Sequence, residues 1–241
     1  PQDQREATEE LMRLAREGSI VDQIKAEGHL RQLSQSAITE QQELALKPLV
    51  WFTFVSDDGY VQERSLARLQ GILTHQEWSE AYKLKTIVEV SEFIFGRLGT
   101  TEEFKNKKYL ANAESSERLS AIKFLVNAYL DLSSKLQQDS VGVFSGFLTL
   151  EPTIQNCPRE ICNLETKTFE DSQKENTLGI QDWNLALEHL KLDLWVNLQS
   201  LLDDSRLPKQ SRDSLLALNE EVMKLPLNSE LRDKLLNQPL E

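Results

Sequence analysis

Acid–base or metal chemistry near neutral pH rests on histidine, cysteine or paired carboxylates, and the 241-residue chain holds three histidines and two cysteines. His29, His75 and His189 lie far apart, and none has a glutamate three residues before it. The Glu-x-x-His pattern of di-iron helical bundles is therefore missing, and so is His-Glu-x-x-His. Cys157 and Cys162 stand in the segment NCPREIC, without Cys-x-x-Cys spacing or a second pair that could complete a tetrahedral zinc site. Two free thiols and a local disulfide both remain open for them. The acidic pairs Asp57-Asp58 and Asp203-Asp204 each fall where a helix meets a turn, and read as turn and cap residues. The nine glycines are scattered, with no phosphate-cradling loop. No catalytic, cofactor-binding or metal-binding residue follows from these patterns.

One pair fits a looser pattern. Arg68 and His75 have six residues between them, which resembles the Arg-x(4-6)-His motif of HEPN ribonucleases, a family of all-α proteins. The resemblance covers two residues. It implies that Arg68 would stabilise developing phosphate charge and His75 would handle a proton, with the two converging in a dimer cleft. Composition points away from RNA, because the net charge is −12 and phosphate-backbone binding draws its free energy from Lys and Arg displacing counterions. The densest basic cluster, Lys105, Lys107 and Lys108, directly follows Glu102 and Glu103 and reads as a solvated helix face. His75 reads more simply as a residue at a helix start.

With chemistry sparse, recognition is the stronger expectation. Trp51, Trp78, Trp183 and Trp195 are the largest apolar groups, and most of them belong in a core. Trp183 and Trp195 are twelve positions apart, roughly 120° around a helix. They cannot both face one neighbour, which leaves one of the two for a partner surface. The expected function is a non-catalytic protein–protein interaction or regulatory module that presents an acidic helical surface to a partner protein with a basic surface. A small-molecule carrier or enzyme built on an apolar cavity between helices is the alternative. No nucleic acid, no cofactor and no integral membrane insertion are expected, since no apolar run approaches the roughly 18 residues a span requires. The low cysteine content points to the cytoplasm, and Pro1 in place of Met implies a start that is missing or processed.

The elements that would carry such a surface are helical. Apolar residues recur at helical spacing through most of the chain, which predicts an all-α multi-helix bundle or a short stack of helical pairs. A faint echo between 62–73 and 116–130 fits the second form. Ala7, Leu11, Leu14 and Ala15 share one face, closed by Gly18 as a left-handed cap, and Ser19 to Asp22 restarts a helix. Thr39 to Gln42, Thr74 to Glu77 and Thr100 to Glu103 read as capping boxes. Leu84, Ile87, Val88, Ser91, Ile94, Phe95 and Leu98 form one stripe. Ile122, Leu125, Val126, Tyr129, Leu132 and Leu136 form another, with Arg118, Lys123 and Asp131 facing solvent.

From Ile180 to Leu202 there are two stripes: Trp183, Leu187, Leu190, Leu194, Leu198 and Leu201, and then Leu185, Leu192 and Val196. A helix apolar on two sides is expected to be central. Leu215, Leu216, Leu218, Val222 and Leu225 predict one more helix, with a short last one around Leu231 and Leu235. Leu49 to Val55 reads as helix or as a buried strand. The stretch 141–171 reads as a small β-hairpin or irregular insertion. A single domain over 1–241 is expected, with sub-units 1–140 and 178–241 as a variant.

Overall fold

Hydroxyl and carboxyl side chains set the beginnings of several helices by accepting from amide groups that would otherwise be orphaned at a helix start. The computed structural model describes residues 2–36, 39–95, 113–152 and 169–222, with side chains over 6–36, 39–95, 113–152 and 181–220. Among them the elements are α1 (Gln2–Glu17), α2 (Ile20–Ser34), α3 (Thr39–Phe54), α4 (Gly59–Thr74), α5 (Glu80–Phe95), α6 (Ser115–Ala128), a 3₁₀ turn (Tyr129–Asp131), α7 (Ser134–Leu148), α8 (Phe169–Asp203) and α9 (Lys209–Val222), with no strand. The chain is an all-α helical bundle. Its residues group into two compact units, 1–113 and 114–241.

In the first unit α3 is the hub, packed against α1, α2, α4 and α5. That position explains LVWFTFV: Leu49, Val50, Trp51, Phe52, Phe54 and Val55 are all buried, because a central helix is apolar all round and loses the alternation that separates helix from strand. The helix reading of 49–55 holds through Phe54, with Thr53 Oγ1 donating back to Leu49 O at 2.8 Å. Trp51 meets Phe93 edge-on at 5.5 Å between centroids, and Phe54 lies 5.4 Å from the same ring. Tyr82 Oη donates to Gln42 O (3.0 Å), and Lys85 Nζ lies 2.5 Å from a Glu43 carboxylate oxygen, which seats α5 on α3.

Several local expectations change. Thr74 ends α4, its hydroxyl donating to Gln70 O, and α5 begins instead behind Ser79, whose Oγ accepts from Tyr82 N (3.2 Å). Thr39 is already helical. Gly18 closes α1 without a left-handed conformation; what demands glycine is close approach, since a Cβ would sit 2.5 Å from Leu14 O. The buried face of α5 runs through Tyr82, Thr86, Val90 and Phe93 as well as Ile87 and Ile94, while Val88 is exposed. Ser19 and Asp58 cap α2 and α4 as read, accepting from Asp22 N and Val61 N. The box expected at Thr100 to Glu103, the lysines at 105–108, Leu98, Cys157, Cys162, Leu225, Leu231 and Leu235 lie outside the described residues.

In the second unit α8 packs against α6, α7 and α9. Ser133 caps α7, and Leu136, Ser140, Phe144, Phe147 and Leu148 are buried along it. The hairpin expected from 141 onward is therefore corrected over 141–148: buried residues at i, i+4, i+8 and i+11, apolar apart from Ser140, make a helical face, and VGVF only mimics strand alternation over its four residues. Arg118 is also not at the surface but fully buried. Lys123 and Asp131 are exposed as read.

Candidate functional site

The long helix α8 carries the residues that the sequence marks for recognition. Trp183, Leu187, Leu190, Leu194, Leu198 and Leu201 are all buried, at most 6% exposed. They recur every three or four residues, so they fall on one side of the helix and form the core of the second unit. Trp183 is at 0% exposure, and the Arg118 guanidinium stacks over its ring at 4.9 Å from the centroid. A buried indole face is the environment in which a planar, weakly hydrated guanidinium can be held away from water.

The second stripe behaves differently. Leu185 is 51% exposed and Val196 40% exposed, with Leu192 half-buried between them. At spacings of seven and four residues these three share one line along α8, and His189, exposed, stands on the same line. The helix is central on one side and open on the other. Asp182, Glu188 and Asp193 flank this line. The nearby cation is turned away: Lys191 Nζ donates to Leu150 O at 2.7 Å, and burial holds its pKa below the usual lysine range. Trp195 stands beside the line, half-buried, its Nε1 donating to Asn219 Oδ1 at 2.5 Å. Gln199 Nε2 donates to the same oxygen at 2.8 Å, which fixes α8 against α9. Of the two tryptophans, Trp195 is the one that reaches solvent. Leu216 on α9 adds a further exposed apolar side chain.

Behind this face a polar network ties the unit together. Gln137 Nε2 donates to Tyr129 O (3.0 Å), and Ser211 Oγ donates to Gln137 Oε1 (2.5 Å). The Tyr129 phenol beside them is buried and has no hydrogen-bond partner within bonding geometry, the neighbouring Ser211 hydroxyl being committed to Gln137. Burial pushes this phenol up to about 12, with Ser211 opposing the shift in part. At the end of α8, Arg212 donates to the carbonyls of Leu202 and Asp204. Arg206 bonds the Asp204 carboxylate and holds it at about 2, so Asp203-Asp204 is a helix end and Asp57-Asp58 a helix start.

Arg68 and His75 are placed on one line of α4, separated by about 10 Å of helix rise. Arg68 is half-buried, and its Nη1 donates to Ser34 Oγ at 3.0 Å. Its Nε is buried with no acceptor, an arrangement that costs roughly 1–3 kcal/mol when a donor is left unsatisfied. Desolvation, with Arg31 and Arg64 nearby, lowers its pKa. His75 is the C-cap of α4, exposed, with Nδ1 3.7 Å from Glu77 Oε1. Within one chain the two side chains are anchored to different partners. Among the described residues no group of three or more His, Cys, Asp and Glu could hold a metal ion, and no helix is long and apolar enough to cross a membrane.

No family model, curated protein or solved structure matches the chain. The sequence reading missed Arg118 as a core residue and the gathering of Arg31, Arg64 and Arg68 near Glu27. The signal for the second was present: Arg64 and Arg68 are four apart, and Glu27 and Arg31 are four apart, so each pair shares a helix face.

Proposed function

We propose that the chain is a non-catalytic protein-interaction module, and that the outer face of α8 receives an amphipathic, basic segment of a partner protein. The observation that carries this reading is the uncovered apolar line Leu185–Leu192–Val196 bordered by Asp182, Glu188 and Asp193. Leucine and valine side chains each contribute about 1.5–3 kcal/mol when removed from water, so such a line gives a partner apolar anchors. An acidic border in a chain of net charge −12 favours lysine and arginine around those anchors and selects against acidic competitors.

The test replaces Leu185→Glu and Val196→Glu together. Both side chains are exposed, so circular dichroism and the melting temperature stay within the range of ordinary surface substitutions, about ±0.5 kcal/mol. Binding of a partner retained by the wild-type chain is expected to fall at least about tenfold and to weaken further as salt rises. Retention of the same partner at equal affinity by the double variant would remove α8 as the docking face. Recovery of a bound small molecule without any protein partner would replace the reading with that of a carrier.

A further inference from the structure

The face formed by α2 and α4 has the opposite character from α8 and carries an inference independent of it. The two helices run parallel, as three cross-contacts in register show: Ser56, just before α4, bonds Gln23; Arg64 Nε lies 3.4 Å from Glu27 Oε2; and Arg68 Nη1 bonds Ser34 Oγ. On α2, Ile20, Ile24, Glu27 and Arg31 fall at i, i+4, i+7 and i+11, one line about 16 Å long. On α4, Tyr60, Arg64 and Arg68 make the facing line. The end near Ile20 is apolar and open, with Ile20 and Val21 each 59% exposed, Ile24 42% and Tyr60 53%. Gly28 leaves further open space beside them, since a Cβ there would meet nothing within 4 Å.

The other end is cationic. Glu27 is 4% exposed and is the carboxylate that offsets Arg64, whose guanidinium also lies over the Tyr60 ring at 5.1 Å. Arg31 is exposed, and no carboxylate pairs with it among the described residues. Arg68 donates to a neutral hydroxyl alone and leaves a buried Nε without an acceptor. One turn away on α4, Ser65 is fully buried, and its Oγ also has no partner. Of the three guanidinium groups only Arg64 is paired with a carboxylate, and the Arg68 Nε and Ser65 Oγ remain unsatisfied beside them.

We propose that the groove between α2 and α4 binds an acidic amphipathic segment of a partner protein, with Arg31 and Arg68 taking a carboxylate and Ile20, Ile24 and Tyr60 taking apolar side chains. A guanidinium fork matches a carboxylate in two parallel bonds; the exposed Arg31, which no carboxylate pairs among the described residues, offers such a fork at the surface, with the half-buried Arg68 guanidinium behind it. The same line that holds the cations continues into exposed isoleucines, which a free phosphate ion would leave uncovered. A nucleic-acid backbone, like free phosphate, brings no aliphatic side chains to cover Ile20 and Ile24. A helical segment of about three turns spans the line.

The experiment titrates the whole chain with a fluorescein-labelled helical peptide in which leucine pairs alternate with glutamate pairs over about three turns. A glutamine counterpart serves as the neutral probe, and fluorescence anisotropy is read alongside the Arg68 Nε–H resonance. The glutamate peptide is expected to bind and to move that resonance. The glutamine peptide, Arg68→Gln and Ile24→Glu are each expected to weaken binding at least about tenfold, the scale of one charge-assisted hydrogen bond or one buried aliphatic contact. Ile24 is exposed, so its variant tests the site even if Arg68→Gln disturbs the fold, and Leu185→Glu leaves this binding unchanged. Equal affinity for the two peptides, no binding at all, or an unmoved Nε–H overturns the proposal. So does an Nε–H that responds to inorganic phosphate and not to the glutamate peptide, which would make the site one for a free anion.

Discussion

At the scale of single residues, the second unit depends on groups whose polarity conceals their burial. Trp183 is at 0% exposure under Arg118, so Trp183→Ala is expected to cost about 3–5 kcal/mol, read by urea denaturation. Tyr129 gives a pH signature. Its folded pKa of about 12 lies above the usual tyrosine value, so burial of the neutral phenol contributes stability that is full below about pH 10 and is lost as pH rises towards 12. Tyr129→Phe is expected to flatten that alkaline loss, measured by melting temperature against pH; an unchanged slope would assign the loss to other groups. Caps such as Ser19 and Asp58 were legible because capping is local chemistry. Arg118 was not, because a sequence pattern assigns arginine to solvent and carries no sign of an indole far along the chain that can cover it.

Among the elements, α3 and α7 show where periodicity succeeds and where it misleads. A helix buried all round, as in Leu49 to Phe54, has no polar face to mark its period, so helix and strand looked alike until neighbouring helices settled the choice. In α7 the alternation Val141-Gly142-Val143-Phe144 resembled a hairpin, while Leu136, Ser140, Phe144 and Phe147 follow the helical period. Gly142 lies in open space, where a Cβ meets nothing within 4 Å. Gly142→Ala is expected to stabilise the unit by about 0.5–1 kcal/mol through the unfolded chain and helix propensity. Ser133→Ala is expected to destabilise it by about 1 kcal/mol through loss of the cap to Leu136 N. Opposite signs in chemical denaturation check that α7 is a helix in solution; a stabilising or neutral Ser133→Ala would contradict the cap. The two stripes of α8 were both visible in the sequence, but which one a neighbour covers is a tertiary fact.

For the whole molecule, the all-helical class was legible from periodicity, whereas the join between the units at 113/114 left no Gly- or Ser-rich signature to read. The net charge of −12 set the expectation of a basic partner, and charge counted over a chain cannot show that Arg31, Arg64 and Arg68 gather in one place. An acidic border on α8 and a cationic end on the α2–α4 groove predict opposite partner chemistries, each weakening with salt. The most direct test of the central claim, that α8 presents an apolar line to a partner protein, is affinity capture from native lysate at low and high salt. Wild type and the Leu185→Glu/Val196→Glu variant are compared, with mass spectrometry of retained proteins and small molecules. A stoichiometric partner with a basic amphipathic segment, released by salt and absent from the variant, is the predicted result. A partner held equally by both chains, or a small molecule retained with no partner, would contradict it.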